Sequence, residues 1–212
     1  MNVFLAVTVL ALLHPIPVDG SLLFLEHGNP VVEMVTRKQI THVGIVFVDS
    51  DTAWLYEAVP GKVRRVPLSA YYRELSEYNR GRKQPAKIVL RQPLLAYSSD
   101  QSRAMRSFLD QQVDRRYSVK NYVVGTEGDG IHCAELTAST LNRTGVFEFK
   151  NCHSISPGEL EEQVGGWYRA GISVALSPPP TRSWCERSRQ WWSGWFQWCG
   201  WSCGEAWSFC RP

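Results

Sequence analysis

The feature that most constrains this chain is an apolar segment at residues 41–48, THVGIVFV, which a polar turn separates from a second strand-like segment at residues 53–59, AWLYEAV. Beyond its first two residues, the earlier segment is apolar at both alternating sets of positions, which is typical of a central strand covered on both faces. The turn, DSDT, is short enough to join neighbouring strands in a hairpin. The chain is therefore predicted to fold around a buried antiparallel pair of strands.

Weaker patterns predict the elements that surround this hairpin. Strands are also predicted at 21–26 and 86–92, and helices at 67–75, from Ser98 or Ser99 to Val113, from Cys133 to the residue before Gly145, and from the capping-box sequence SPGE at 156–159. One apolar stripe follows the second of these helices, formed by Met105, Phe108, Leu109 and Val113. The expected fold class is α+β, with an antiparallel sheet packed against helices.

The length of the chain, 212 residues, allows one domain with a sizeable core and an appendage. Residues 3–13, VFLAVTVLALL, are too few to span a bilayer but match the core of a signal peptide, and small residues near Gly20 offer a cleavage site. We therefore predict a signal peptide at 1–19 and export to the periplasm or the extracellular space. The alternative is an N-terminal strand or helix packed into the core.

The composition changes at the triple proline of residues 178–180, which cannot continue a strand or a helix. The segment from there to the end holds seven of the nine tryptophans and four of the six cysteines, without the period of either element. We therefore predict a catalytic domain at 20–177 and a Trp- and Cys-rich tail at 178–212. Tryptophan favours membrane interfaces, so the tail is expected either to contact a membrane surface or the cell envelope, or to be an extension without function.

The charge of the chain indicates no affinity for nucleic acid. The formal net charge is only +3, and no long basic run occurs. Nucleic acid is therefore not among the expected partners.

A histidine opens the buried strand, and the hairpin places an acidic residue beside it. With the turn at 49–52, Glu57 falls opposite Gly44, and both share a face with His42. Glu57 is then the diagonal cross-strand neighbour of His42, roughly 5 to 8 Å away at the backbone, with no side chain at Gly44 to block the approach. A carboxylate there fixes the imidazole tautomer and favours imidazolium. A slip of one residue in the register would place Glu57 on the other face.

The sequence GDGIHCAELTAST, residues 128–140, places Cys133 in the first turn of a predicted helix. The unpaired N–H groups and the dipole of a helix start stabilise an anion, so they favour a thiolate and also the oxyanion of a tetrahedral intermediate. Together, Cys133, His42 and Glu57 have the residue types of a nucleophile, a base and an orienting group. The spacing is typical of a site that the fold assembles from distant parts of the chain.

Other roles for Cys133 remain open at this point. It has the character of a buried inert thiol, and in an exported chain it could form a disulfide. A zinc site made by the pairs His132–Cys133 and Cys152–His153 is disfavoured, because structural zinc sites use spaced pairs of ligands. As a rival base, His132 is disfavoured because neighbours in a helix do not face each other.

Segments along residues 20–165 resemble a known family: SLLFLE, ITHVGIVF, WLYEAVPGKVRRVPL, IHCAELTASTLNRTG and SISPGEL. They are similar to the permuted papain-like amidases of the YaeF/YiiX group, within the NlpC-type cysteine peptidase superfamily. The resemblance implies a circularly permuted papain-like fold in which the histidine precedes the cysteine. It also implies that Cys133 is the nucleophile, His42 the base and Glu57 the third polar residue.

The family resemblance implies a thiol hydrolase that cleaves a peptide-like or cell-wall-like amide through an acyl-enzyme on Cys133, without a cofactor or metal. Three positions depart from the family pattern: Ser21 replaces an aspartate, His132 an aromatic or aliphatic residue, and Ala134 a serine. One alternative is a lipid acyltransferase or thioesterase that uses the same triad on a lipid-linked substrate. The other is a non-catalytic surface-binding domain.

Overall fold

A computed structural model describes residues 15–124 and 128–178, and the fold is described for these residues. Residues 1–14 of the predicted signal peptide and 179–212 of the predicted tail therefore lie outside the described residues. The strands are β1 Ser21–Glu26, β2 Ile40–Asp49, β3 Thr52–Val59, β4 Lys62–Pro67, β5 Lys87–Arg91 and β6 Ile172–Val174. The helices are α1 Pro30–Thr36, α2 Leu68–Tyr78, α3 Ser99–Gln112, α4 Lys120–Val124, α5 Cys133–Asn142 and α6 Pro157–Gln163, with a short 3-10 helix at Cys152–Ser154.

The described strands form one antiparallel sheet in the order β4-β3-β2-β1-β5-β6. Strand β2 is central, as its two apolar faces predict, and residues 43–47 are buried. Its pairing with β3 runs from Asp49 opposite Thr52 to Ile45 opposite Tyr56, which is the predicted register. The mixed architecture with an antiparallel sheet is therefore confirmed.

Helices cover both faces of the sheet. One face carries Val43, Ile45 and Phe47, which pack in the same core as residues of α3, α5 and α6. The opposite face carries Val46 and packs with α2. The predicted stripe of α3 is confirmed, because Met105 and Leu109 are fully buried and the two other apolar side chains pack against the core.

Capping residues fix the helix starts as predicted. Ser98 caps α3 and Ser156 caps α6, each in a reciprocal capping box, and Pro157 is the first residue of α6. Helix α2 begins one residue later than predicted, because Pro67 ends β4. Five of the described elements lack a prediction: α1, β4, α4, β6 and the 3-10 helix. Among them, α1 is only seven residues long, and β4 carries three charged side chains that interrupt its apolar alternation.

None of the helices in the described part of the chain combines the length and apolar composition that a bilayer crossing requires.

Candidate functional site

The hairpin brings His42 and Glu57 into direct contact. The Nε2 atom of His42 lies 2.7 Å from Oε2 of Glu57, whose side chain is only 1% exposed. A Cβ at Gly44 would lie 2.7 Å from Cδ1 of Leu55, 3.0 Å from the Tyr56 carbonyl oxygen and 3.4 Å from Cβ of Glu57, so the close strand packing beside this contact requires glycine. The predicted diagonal pairing is therefore present, and it directs the Nε2–H of His42 to a carboxylate.

An arginine on β4 holds the other oxygen of the Glu57 carboxylate. Arg64 lies opposite Glu57 in the β3–β4 pairing, and its Nε donates a hydrogen bond of 2.8 Å to Oε1 of Glu57. Its guanidinium also donates to Glu74 of α2 at 2.7 Å. Burial would raise the pKa of Glu57, but His42 and Arg64 outweigh burial and lower it, so the buried carboxylate is ionised. Arg64 was not predicted, although the VPGK turn before β4 signals a second hairpin.

Replacing Arg64 with glutamine is expected to cost about 1.5–3 kcal/mol of folding free energy, as for hydrogen bonds to charged groups. The pKa of Glu57 should rise, because the carboxylate loses a cation that stabilises its ionised form. Thermal unfolding measures the cost. Arg65→Gln is the matched control, because Arg65 is 3.8 Å from Asp49 and packs over Trp54 without touching Glu57. That change should cost less than about 1 kcal/mol, and equal losses in both variants would contradict the role of Arg64.

Cys133 is the first residue of α5, and it is buried. Its thiol contacts the imidazoles of both His42 and His132. Burial opposes ionisation of this thiol, but the charge of His42 and hydrogen bonds from the two rings outweigh burial and lower the pKa of Cys133 to about 6. Burial also opposes the charge on His42, but the Cys133 thiolate and Glu57 raise the pKa of His42 to about 10. The pair is therefore a thiolate and an imidazolium near neutral pH.

The roles of the two ring nitrogens of His42 follow from these contacts. Glu57 accepts from Nε2, which leaves Nδ1 for the thiol. A carboxylate on Nε2 holds the proton there, so the neutral ring presents the Nδ1 lone pair toward Cys133. Residues His42, Glu57 and Cys133, which the sequence singles out, thus lie in one continuous chain of contacts.

His132 contacts the thiol from the other side, which corrects the expectation that neighbours in sequence cannot face each other. It is the N-cap of α5, with an extended backbone at φ −106° and ψ 171°, so helical geometry does not apply to it. Its Nδ1 lies 3.4 Å from the Glu135 amide nitrogen, and its Nε2 lies 2.9 Å from the His153 carbonyl oxygen. These contacts fix the ring beside Cys133. Burial opposes the charge on His132, but the Cys133 thiolate, the His153 carbonyl oxygen and Glu135 outweigh burial and raise the pKa of His132.

Replacing His132 with phenylalanine is expected to raise the pKa of the Cys133 thiol above about 6, because one hydrogen bond to the thiolate is lost. The lost cap should also cost about 1 kcal/mol. His132→Asn separates the two effects, because asparagine is a good N-cap but carries no imidazole. The asparagine variant should recover stability while the thiol pKa stays raised. Unchanged alkylation of Cys133 against pH in both variants would rule out this role for His132.

The alternatives for Cys133 have weaker support in the described residues. Neither Cys133 nor Cys152 forms a disulfide within the described residues, and the tail cysteines lie outside them. No group of three or more His, Cys, Asp or Glu side chains in the described segments converges as a metal site. His27 gains a partner that the sequence did not indicate, since its Nδ1 lies 3.2 Å from Oε1 of Glu33.

The sequence matches no protein-family model and no curated protein. The structure is similar to that of the metalloprotein YiiX from Escherichia coli O157:H7, with a TM-score of 0.50 and 17% sequence identity. The match covers 77% of this chain and 99% of that chain. At this identity the likeness concerns the fold alone, so the predicted relation to YiiX is confirmed for the fold: the chain has a YiiX-like fold.

Proposed function

We propose that this chain is a thiol hydrolase with a circularly permuted papain-like architecture. It cleaves an amide bond in a peptide-like or cell-wall-like substrate through an acyl-enzyme on Cys133. The observation that carries the proposal is the contact chain from Cys133 through His42 to Glu57, in which the thiol pKa is lowered to about 6 although the thiol is buried. A buried inert thiol has its pKa raised instead.

Acylation begins when the Cys133 thiolate attacks the carbonyl carbon of the substrate and forms a tetrahedral intermediate. Apart from the Glu135 amide, which bonds to His132, the N–H groups of the first turn of α5 have no acceptor within the helix and are candidates to hold the oxyanion. His42 then gives its Nδ1 proton to the leaving nitrogen as the carbon–nitrogen bond breaks. The products of this step are a free amine, a thioester on Cys133 and a neutral His42.

In deacylation, His42 acts as a base rather than as an acid. Neutral His42 takes a proton from a water molecule, and the resulting hydroxide attacks the thioester carbonyl. The second tetrahedral intermediate expels the Cys133 thiolate, which restores the thiolate and the imidazolium. Glu57 stays ionised throughout, and Arg64 keeps it oriented, so these two residues position His42 and stabilise its charged form.

The structural neighbour YiiX is described as a metalloprotein, so the residues of this site are compared with what a metal ion requires. The described residues offer no converging set of three or more His, Cys, Asp or Glu ligands. Glu57 is already shared between His42 and Arg64, and Glu135, a second buried carboxylate near the site, lies 3.8 Å from Nε2 of His132. No step of the proposed reaction is therefore routed through a metal ion.

Capture of the acyl-enzyme tests the proposal. The full chain is mixed with a series of activated esters and with a peptide amide, and its intact mass is followed over time. We expect one acyl group per chain, mapped by peptide analysis to Cys133, with a rapid initial release of the leaving group. A chain whose Cys133 is alkylated readily but never acylated by any donor would instead support the non-catalytic surface-binding domain.

Acyl transfer is the second candidate, because the same acyl-enzyme reacts with any nucleophile that reaches it. Exposed apolar side chains on α1, beside the strand that carries His42, favour a lipid-linked acyl group as the substrate of such a reaction. The partition of the acyl group between water and an added amine or alcohol distinguishes hydrolysis from transfer. Dominant transfer to the acceptor would identify an acyltransferase, and acyl release from a thioester donor would identify a thioesterase.

We also propose that residues 1–19 direct export and that the tail at 178–212 contacts a membrane surface or the cell envelope. The apolar run at residues 3–13 supports export, and the seven tryptophans of the tail support contact with a membrane surface. N-terminal sequencing of the mature protein tests the first, with a new terminus near Gly20 expected. An intact Met1 in the mature protein would contradict it.

A further inference from the structure

Helix α1 presents an apolar surface to solvent. It contains no buried residue, and Val31, Met34 and Val35 are 61%, 73% and 61% exposed. Three large apolar side chains exposed on one helix of seven residues are unusual, because a surface helix normally turns such side chains toward the core. These side chains therefore form an apolar patch that is open to a partner.

A basic segment lies next to this apolar patch. Residues 79–87, NRGRKQPAK, hold four basic side chains and no acidic one. Lys83 and Lys87 are exposed, and the Arg82 guanidinium lies 4.3 Å from the centre of the Tyr78 ring, which is itself 45% exposed. Arg37 adds another exposed cation directly after α1. The apolar side chains are thus bordered by positive charge.

Side-chain contacts hold helix α1 and the basic segment together. The His27 ring lies between them, with Nδ1 at 3.2 Å from Oε1 of Glu33 on α1 and at 2.9 Å from Nε2 of Gln84 in the basic segment. Arg82 donates to the His27 carbonyl oxygen at 3.1 Å. Helix α1 and residues 79–87 therefore form one continuous surface, called here the α1–loop surface.

The α1–loop surface adjoins the strand that carries the candidate site. The amide of Gly28, two residues before α1, donates to Oγ1 of Thr41 at 3.0 Å, and Thr41 precedes His42 in β2. A partner that covers this surface therefore lies beside the end of the sheet where Cys133 meets His42.

We propose that the α1–loop surface docks onto an anionic membrane surface. An anionic bilayer binds surfaces of this kind. The apolar side chains enter the boundary between headgroups and acyl chains, and the lysine and arginine side chains bind the anionic headgroups. Docking of this kind does not depend on the thiol chemistry, and it involves a surface distinct from the tail. It places the candidate site next to the lipid.

Oxidative footprinting of the full chain tests this proposal, because Met34 and Met105 are matched internal probes. Met34 is 73% exposed on α1, whereas Met105 is fully buried in α3. Hydroxyl-radical oxidation is measured for the chain alone, with phosphatidylcholine vesicles, and with vesicles that also contain phosphatidylserine. We expect fast oxidation of Met34 in the free chain, and oxidation at least several-fold slower with anionic vesicles only. Met105 should react slowly in all three samples.

Charge variants test the basic part of the surface. Each basic residue near an anionic bilayer strengthens binding by roughly fivefold, so Lys83→Glu with Lys87→Glu should weaken vesicle binding by at least about twentyfold. The control is Lys62→Glu with Arg103→Glu, which makes the same charge change at exposed positions of β4 and α3. The control should bind vesicles within about threefold of wild type, because its changes lie outside the α1–loop surface.

Several outcomes would overturn the proposal. Slow oxidation of Met34 in the free chain would show that other residues of the same chain cover α1. Vesicle binding that leaves Met34 reactive would place the contact elsewhere, for example in the tail. Equal protection by neutral vesicles or by an acidic polypeptide would exclude an anionic bilayer as the specific partner. None of these outcomes affects the thiolate of Cys133, which is measured separately.

Discussion

Replacement of Cys133 with alanine is expected to lower turnover of any acyl substrate roughly a thousandfold or more, because the nucleophile is lost and only binding and the oxyanion donors remain. The fold should persist, since the change removes a single sulfur atom at the start of α5. The pKa of His42 should fall, because the thiolate is the strongest contributor to its increase. Turnover of the donor that acylates wild type, together with thermal unfolding, measures both effects.

Cys152→Ala is the matched control for this variant. Cys152 is the other cysteine among the described residues, and its thiol donates to the Phe149 carbonyl oxygen and accepts from Nδ2 of Asn142. This variant should keep wild-type turnover within about threefold, as expected for a side chain outside the reacting groups. A folded Cys133→Ala protein that remains active would refute the proposed mechanism.

Replacement of Glu57 with glutamine is expected to lower turnover roughly ten- to a thousandfold, as for the loss of a proton-transfer partner. Glutamine keeps the shape but loses the charge that favours imidazolium, so the pKa of His42 should fall and that of the Cys133 thiol should rise. The substitution can also change the tautomer of His42, which adds to the loss of turnover. If the amide oxygen accepts from Arg64, the amide nitrogen donates to Nε2 of His42, and the neutral ring then carries its proton on Nδ1, toward the thiol.

Glu74→Gln is the control, because Glu74 also bonds to Arg64 but its side chain is 51% exposed and lies outside the contact chain through His42. Its turnover and its thiol pKa should match those of wild type. The double variant Cys133→Ala with Glu57→Gln should lose little more than Cys133→Ala alone, since residues that act as a unit are not additive. Wild-type turnover in Glu57→Gln would show that Glu57 is a buried structural carboxylate without a role in the reaction.

The parts of the site that the sequence predicted are those that depend on local geometry. The polar turn at 49–52 and the apolar alternation around it fix the hairpin register, and the register determines that Glu57 lies beside His42. The start of α5 is likewise local, because a glycine-containing turn precedes an apolar helical pattern. These predictions needed no knowledge of the tertiary structure.

The parts that the sequence did not predict depend on contacts between distant elements. Arg64 lies on a strand, KVRRVP, that has little apolar alternation, because its side chains at the edge of the sheet are largely solvated or paired. The contact of His132 with the thiol depends on its extended backbone at the helix start, which residue type alone does not reveal. The meeting of Cys133 with His42 follows from the packing of α5 on the sheet; residue types made it a candidate pair and the family resemblance implied it, but no local pattern placed the two side chains together.

The exposure of helix α1 is another feature that the sequence does not predict. The segment PVVEMVT is apolar enough to predict a buried element, yet none of its residues is buried. Its exposure follows from its position between β1 and β2, where a capping asparagine and a left-handed Arg37 at φ 54° hold a single short helix outside the core. Such exposure cannot be read from a hydrophobic pattern, because the pattern does not specify which surfaces remain uncovered.

The central claim, a thiolate on Cys133 paired with imidazolium on His42, is tested most directly by the rate of Cys133 alkylation against pH. Peptide mapping after brief treatment with iodoacetamide separates Cys133 from the other cysteines. We expect the alkylation rate of Cys133 to rise through a midpoint near pH 6, because the thiol pKa is lowered to about 6. It should then stay level until His42 loses its proton near pH 10. A single rise centred at about pH 8.5, the value for an unperturbed thiol, would contradict the account.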